Sequence, residues 1–263
     1  MKHPLFRILL PLLFGVLVVE LWIFLHFALD PDRRLFFPRP DEILNAFNQY
    51  RPQILRAAYN TTKGALIGFG LAIVVSSALS ILLSASNLVR VMLYPYLMAL
   101  QMTPLPILAP ICVIWVGPGV KSVAVLTFAM AFFPLVVNTT QGLLSTDRNL
   151  VELFRLYRAS WLQQLLRLRI PSALPYFFAG LRIAATIAPI GAVVADMNAG
   201  SSAGDGGGLG FQAAIYSSQA RYPGLFATAA VTCVLGFALN AIVLTLAWLA
   251  LHRWHDSYEP SDK

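Results

Sequence analysis

The sequence predicts an all-α polytopic membrane protein with six transmembrane helices. Three observations carry this expectation. Hydrophobic residues make up 58% of the 263 residues and charged residues only 12%, about half the charged share of an ordinary soluble domain. Mean hydropathy is +0.70. The apolar residues also fall into long blocks, each about the 20 residues a bilayer core requires. One transmembrane domain is expected to occupy 1–263, without an appended soluble ATPase. The net charge of +7 reads as a basic face against anionic lipid, not as a nucleic-acid surface. Cys112 and Cys233 lie in apolar runs without disulfide or metal-site spacing.

Span one is expected at about 8–29, an uncleaved helix whose leading Lys2 and Arg7 imitate a signal peptide but whose apolar run has no small-residue cleavage site. Glu20 lies inside it and needs a hydrogen bond or an ion pair in the bundle. An outer loop at 30–54 holds a short amphipathic helix from Asp41 to Tyr50. Span two, at about 55–83, carries Gly64, Gly68, Ala72, Ser76 and Ser80 at a spacing of four. Such residues let helix backbones approach closely, either in plain packing or toward a conduit or a partner. Span three, at about 91–116, is interrupted by Pro104, Pro106 and Pro110. After the turn Gly117-Pro118-Gly119, span four runs from about 121 to 144. Span five, at about 172–197, contains Ala184, Ala188, Gly191 and Ala195. Pro189 removes a backbone donor there and kinks the helix. A second outer loop, 198–222, precedes span six at about 223–251.

Six spans put both termini on the side that holds the loop 145–171. That side carries ten Lys/Arg and the other eight, with Arg182 set aside as near a span end. The positive-inside tendency therefore points only slightly to cytoplasmic termini.

Loop 145–171 is basic and amphipathic, and presenting a helix to a soluble partner explains its presence. Asp147 or Thr146 caps its first helix, and Ser160 with Gln163 forms a capping box that starts a second. The break falls at Arg158-Ala159. Arg155 and Arg158, three apart, are expected to share a face. Leu153, Phe154, Tyr157 and Trp161 offer apolar area to a groove, and an interfacial helix lying on lipid is the competing reading.

The spacing from Glu152 to Pro171 resembles the loop by which ABC-transporter permeases grip their ATPases. That pattern is E-A-A, three residues, Gly, nine residues, I-x-L-P. Here Leu153 and Phe154 replace the alanines and Arg158 the glycine, while Ala159 and Ser160 match the A-S that often follows. Three further segments, F-F-P-R-P-D-E-I, T-P-L-P-I-L-A-P-I-C-V-I-W-V-G and G-A-V-V-A-D followed by G-L-G-F, resemble permeases for nitrate, taurine, alkanesulfonates and pyrimidine precursors. With the loop they cover 36–211.

The resemblance implies a type I ABC importer permease fold in the bacterial inner membrane, with both termini cytoplasmic. It implies a second permease copy, most simply a homodimer, two cytoplasmic ATPases and an extracytoplasmic solute-binding protein. ATP and magnesium would sit on the ATPases, leaving this chain non-catalytic and without a cofactor. The cargo would be a small organic anion or heterocycle. Glu152, Phe154, Arg155, Tyr157, Arg158, Ala159 and Ser160 would couple to the ATPase. Asp196, Pro104 and Pro189 would line the path or its outer gate, with capping and hydrogen bonding the plainer role for Asp196.

Other chemistries find little support. The glycine-rich stretch 200–210 has neither a G-x-G-x-x-G register nor a Gly-Lys-Ser/Thr, so nucleotide binding is not expected there. Asp30 and Asp32 suit a surface turn, and His252 with His255 are too few for a zinc site. An ion-coupled secondary transporter is the alternative function. It needs acids at membrane depth and usually inverted repeats. Glu20 and Asp196 are its candidates, and no repeat is evident.

Overall fold

The computed structural model describes residues 4–199 and 207–251, all in helices and their connections. His252, His255 and most of the glycine-rich stretch lie outside them. Helix α1 spans Pro4–Ala28, and the short α2 (Pro31–Arg34) and α3 (Pro40–Gln49) follow. Proline opens α3, where its missing N–H costs nothing, and Glu42 accepts from the Arg39 N–H at 2.9 Å. The long α4 (Arg51–Ala85) leads to α5 (Asn87–Gln101), capped by Ser86, and α6 (Leu105–Val116). Helix α7 (Val120–Leu144) is followed by α8 (Arg148–Leu156) and α9 (Trp161–Gln164). A π-helical turn, Leu165–Arg169, joins α9 to α10 (Ile170–Ala199), and α11 (Leu209–Ser218) and α12 (Tyr222–Leu251) complete the order.

Five helical stretches are long and apolar enough to cross a membrane among the described residues: Leu9–Ala28, Arg51–Ala85, Val120–Leu144, Trp161–Ala199 and Tyr222–Leu251. The expected third span is instead two helices of 15 and 12 residues. They part at Thr103-Pro104, because proline disfavours helical angles in the residue before it. Pro110 is accommodated inside α6. The second departure is at span five. The second loop helix and the span form one continuous stretch of 39 residues, Trp161–Ala199. Pro171 has no N–H for the Arg167 carbonyl. The wider π turn absorbs the misfit, and the Ile170 N–H reaches back to the Leu165 carbonyl.

Helix α7 is the axis of the fold. Gly64 on α4 faces Val123 and the Val120 carbonyl, and Gly68 lies against the Ala124 carbonyl and the Phe128 N–H. From the other side, Gly180 on α10 meets Asn138 and the Pro134 carbonyl, and Gly191 meets Met130 and the Leu126 carbonyl. Ala72, Ser76, Ala184 and Ala188 extend both rows, fully buried. Ser80 donates to the Val136 carbonyl at 3.1 Å. The small-residue rows are thus consumed in packing against α7, the plainer of their two expected roles.

Helix α1 is largely exposed and fastened at one end. The Trp22 indole donates to the Pro38 carbonyl at 2.9 Å and stacks near Phe37 and Phe226. His26 Nδ1 lies 2.6 Å from the Phe37 carbonyl. Glu20 is exposed on this helix, and no bond to it is formed among the described residues, so the expected tie within the bundle is not made by this chain alone.

A side chain at Gly68 would drive α4 off the α7 backbone. Gly68→Val is expected to cost about 1–3 kcal/mol through overpacking, whereas Gly70→Ala, which meets open space, should leave stability unchanged. Thermal unfolding of the two variants in detergent checks the contrast.

Candidate functional site

Two ordered features lie at opposite ends of α10. At one end, Asp147 Oδ1 accepts from the Asn149 N–H at 2.8 Å and starts α8, as the sequence suggests. The helix then stops in a Schellman turn. The Arg158 N–H bonds the Arg155 carbonyl and the Ala159 N–H the Phe154 carbonyl, both at 2.9 Å. Arg158 takes φ +52°, the left-handed conformation that normally selects glycine. The arginine thus adopts a glycine's backbone at the position where the resembled loop has one. The expected sharing of a helical face by Arg155 and Arg158 does not hold, because Arg158 lies beyond the helix end. Ser160 then opens α9 with a complete capping box: its Oγ accepts from the Gln163 N–H at 3.3 Å, and Gln163 Oε1 accepts from the Ser160 N–H at 2.8 Å.

These turns hold an apolar knuckle in the open. Leu156 and Tyr157 are each 80% exposed, and Leu153, Trp161 and Leu162 are exposed beside them. Glu152, Arg155, Arg158 and Ser160 are also exposed, while Phe154 and Ala159 are half-buried beneath. Arg148, Glu152, Arg155 and Arg169 line a cavity of about 280 Å³ under α8.

At the other end, Asp196 is 3% exposed. Thr61 Oγ1 on α4 donates to its carboxyl group, as does the Gly210 N–H. Thr61 Oγ1 in turn accepts from the Leu209 N–H at 2.8 Å. The acid therefore ties α4, α10 and the first turn of α11 together and takes up N–H groups that a helix start leaves free. Glycine is required around it: a Cβ on Gly208 would collide with the Asp196 carboxylate, and one on Gly210 with the Val193 carbonyl. Thr61 and Pro189 share the wall of an apolar cavity of about 130 Å³ between α4, α10 and α12. Pro104, exposed at the α5–α6 break, does not line it. Thr61 and Gly208 are the partners that sequence reasoning missed. The available signal was the T-T pair just ahead of the apolar run of α4.

A model of the binding-protein-dependent transport system inner membrane component family matches residues 64–256. The chain belongs to that family. It is the transmembrane permease component of an ABC importer, not an ion-coupled secondary transporter. It is 41% identical over 170 residues to the formylaminopyrimidine transport permease protein ThiX of Halalkalibacterium halodurans, covering 65% of this chain and 66% of the relative. It is 29% identical over 248 residues to a probable ABC transporter permease protein of Haemophilus influenzae, covering 94% and 97%. A putative aliphatic sulfonates transport permease protein of Bacillus subtilis is 30% identical over 201 residues, covering 76% and 69%.

Removing the acid strands a buried donor. Asp196→Ala leaves the Gly210 N–H unpaired, while the Thr61 hydroxyl can still turn to the Ala57 carbonyl at 3.0 Å. The variant is expected to lose about 1–3 kcal/mol, read as a lower thermal unfolding midpoint in detergent than the wild type.

Proposed function

We propose that the α8–α9 knuckle is the coupling element of this permease and docks on a cytoplasmic ATPase. The observation that carries the proposal is the pair Leu156 and Tyr157, solvent-exposed on a turn held by two caps and a Schellman motif. A rigid apolar projection flanked by Arg155, Arg158 and Glu152 suits a groove in a soluble protein. Phe154 and Ala159 support it from below, and Ser160 fixes the angle of α9. In this reading 145–171 is cytoplasmic, as are both termini, and 30–54 and 198–222 face the solute-binding protein outside the inner membrane. Two copies of the chain pair as a homodimer on two ATPases, which hold ATP and magnesium. This chain is non-catalytic and carries no cofactor.

The cargo in this proposal is a small organic anion or heterocycle. The names of relatives support that range: formylaminopyrimidine, aliphatic sulfonates, riboflavin and nitrate. Pro189 supplies the flexible point of α10, Asp196 latches its outer end, and Pro104 marks the break in α5–α6 where the path can widen.

Leu156→Asp with Tyr157→Asp is expected to abolish co-purification of the ATPase and leave the permease folded. Ser160→Ala should weaken it mildly, since loss of a cap costs about 1 kcal/mol. Full ATPase stoichiometry in the double variant rejects the knuckle as the docking element.

A further inference from the structure

Arg182 was set aside in the sequence as lying near a span end, and the structure places it well inside α10. Its neighbour Gly180 packs on the Pro134 carbonyl of α7. Pro134 is fourteen residues from Val120 and ten from Leu144, about 21 and 15 Å along a helix rising 1.5 Å per residue. At this depth Arg182 is exposed and forms no ion pair among the described residues. A guanidinium in a membrane-spanning helix is costly against lipid, and such groups face an interior or a water-filled space.

The surroundings point the same way. One turn along the same face is Thr186, whose hydroxyl donates to the Arg182 carbonyl at 2.9 Å. Across from it on α12, Asn240 Nδ2 lies 3.5 Å from Thr186 Oγ1. Asn240 Oδ1 is buried and has no hydrogen-bond partner among the described residues. Thr186, Asn240, Thr232 and Pro189 line a groove of about 410 Å³ between α10 and α12. Arg182 and the Thr186 hydroxyl thus share one face of α10, and the unused amide acceptor of Asn240 on α12 faces that hydroxyl.

We infer that this face lines the path of the cargo, and that Arg182 holds an anionic group of the cargo while Asn240 accepts from an N–H or O–H on it. The inference rests on the permease reading and narrows its cargo to a small molecule with a negative charge. A planar guanidinium pairs with carboxylate, sulfonate or nitrate oxygens through two parallel N–H bonds, which lysine reproduces only in part.

The test uses the permease assembled with its ATPase and binding protein in proteoliposomes. The probes are labelled ethanesulfonate and nitrate, with riboflavin as the uncharged comparison. The wild type is expected to accumulate one of the two anions and not riboflavin. Arg182→Gln should cut that uptake at least tenfold, and Arg182→Lys should retain a larger share than Arg182→Gln. Arg182→Cys, made with Cys112→Ala and Cys233→Ala, should react with a membrane-impermeant thiol reagent. Uptake of riboflavin alone, uptake of neither anion, undiminished anion uptake by Arg182→Gln, or a cysteine shielded from the reagent overturns the inference. Failure of the wild type to retain its ATPase would instead reject the permease reading itself.

Discussion

Everything in this fold depends on how closely α4 and α10 approach the backbone of α7. In a bilayer, apolar side chains gain nothing by leaving lipid for protein, so helices associate through close packing and interhelical hydrogen bonds. Gly64 and Gly68 from one side and Gly180 and Gly191 from the other bring carbonyls of α7 against the facing helix. The contact leaves no space for a Cβ, and so it fixes the rotation of both outer helices. That rotation decides which residues remain for other uses. With the small rows turned inward, α10 presents Arg182 and Thr186 outward, and α4 presents Lys63 on its exposed surface.

The second tie is polar, and it works where packing alone is weakest. Near the end of α10 the chain leaves the helix and returns as α11, whose first N–H groups need acceptors. Asp196 accepts from the Gly210 N–H, and Thr61 accepts from the Leu209 N–H and extends the tie to α4. The acid beside G-L-G-F is therefore explained by local chemistry: a carboxyl group at a helix start, with glycines because its oxygens leave no room for a Cβ. A role in an outer latch and a role in capping do not compete, since a latch has to be held by something. Tyr216, about two turns along α11, strengthens the same corner by packing on the Tyr50 ring, which carries the Arg221 guanidinium.

Much of this was legible in the sequence wherever the controlling physics is local. The capping box of Ser160 and the cap of Asp147 depend on a few adjacent residues, and each forms as the spacing suggests. The interrupted third span was visible in its prolines, although only geometry shows that Pro104 parts the helices and Pro110 does not. What the sequence hid was set by tertiary packing or by compensation. The π turn at Leu165–Arg169 lets a helix continue through a proline that reads as a stop. Arg158 adopts a glycine conformation because two Schellman hydrogen bonds offset a strain of about 1–2 kcal/mol. Ala220 does the same at the end of α11, where the Arg221 N–H bonds the Tyr216 carbonyl at 2.8 Å. Glu20 and Arg182 were misplaced because a charge in an apolar run does not reveal which neighbour, if any, meets it.

The continuous stretch from Trp161 to Ala199 connects these features into a mechanical argument. At 1.5 Å per residue, 39 helical residues reach about 58 Å, from the exposed knuckle to the Asp196 tie. A force applied to α8 in the proposed mechanism has no flexible linker in which to dissipate, because Ser160 and the Schellman turn hold α8 to α9 and α9 runs into α10. Three places along the rod can yield. One is the π turn, with its wider hydrogen bonding, and the others are Pro175 and Pro189, each without a ladder bond. Gly180, Ala184 and Ala188 are packed on α7, and so is Gly191 beyond Pro189. The stretch beyond Pro189 also carries part of the groove and Asp196. A ligand that shifts this equilibrium must contact the two states differently. In the proposed mechanism, the groove beside Pro189 is where a bound cargo makes those differing contacts.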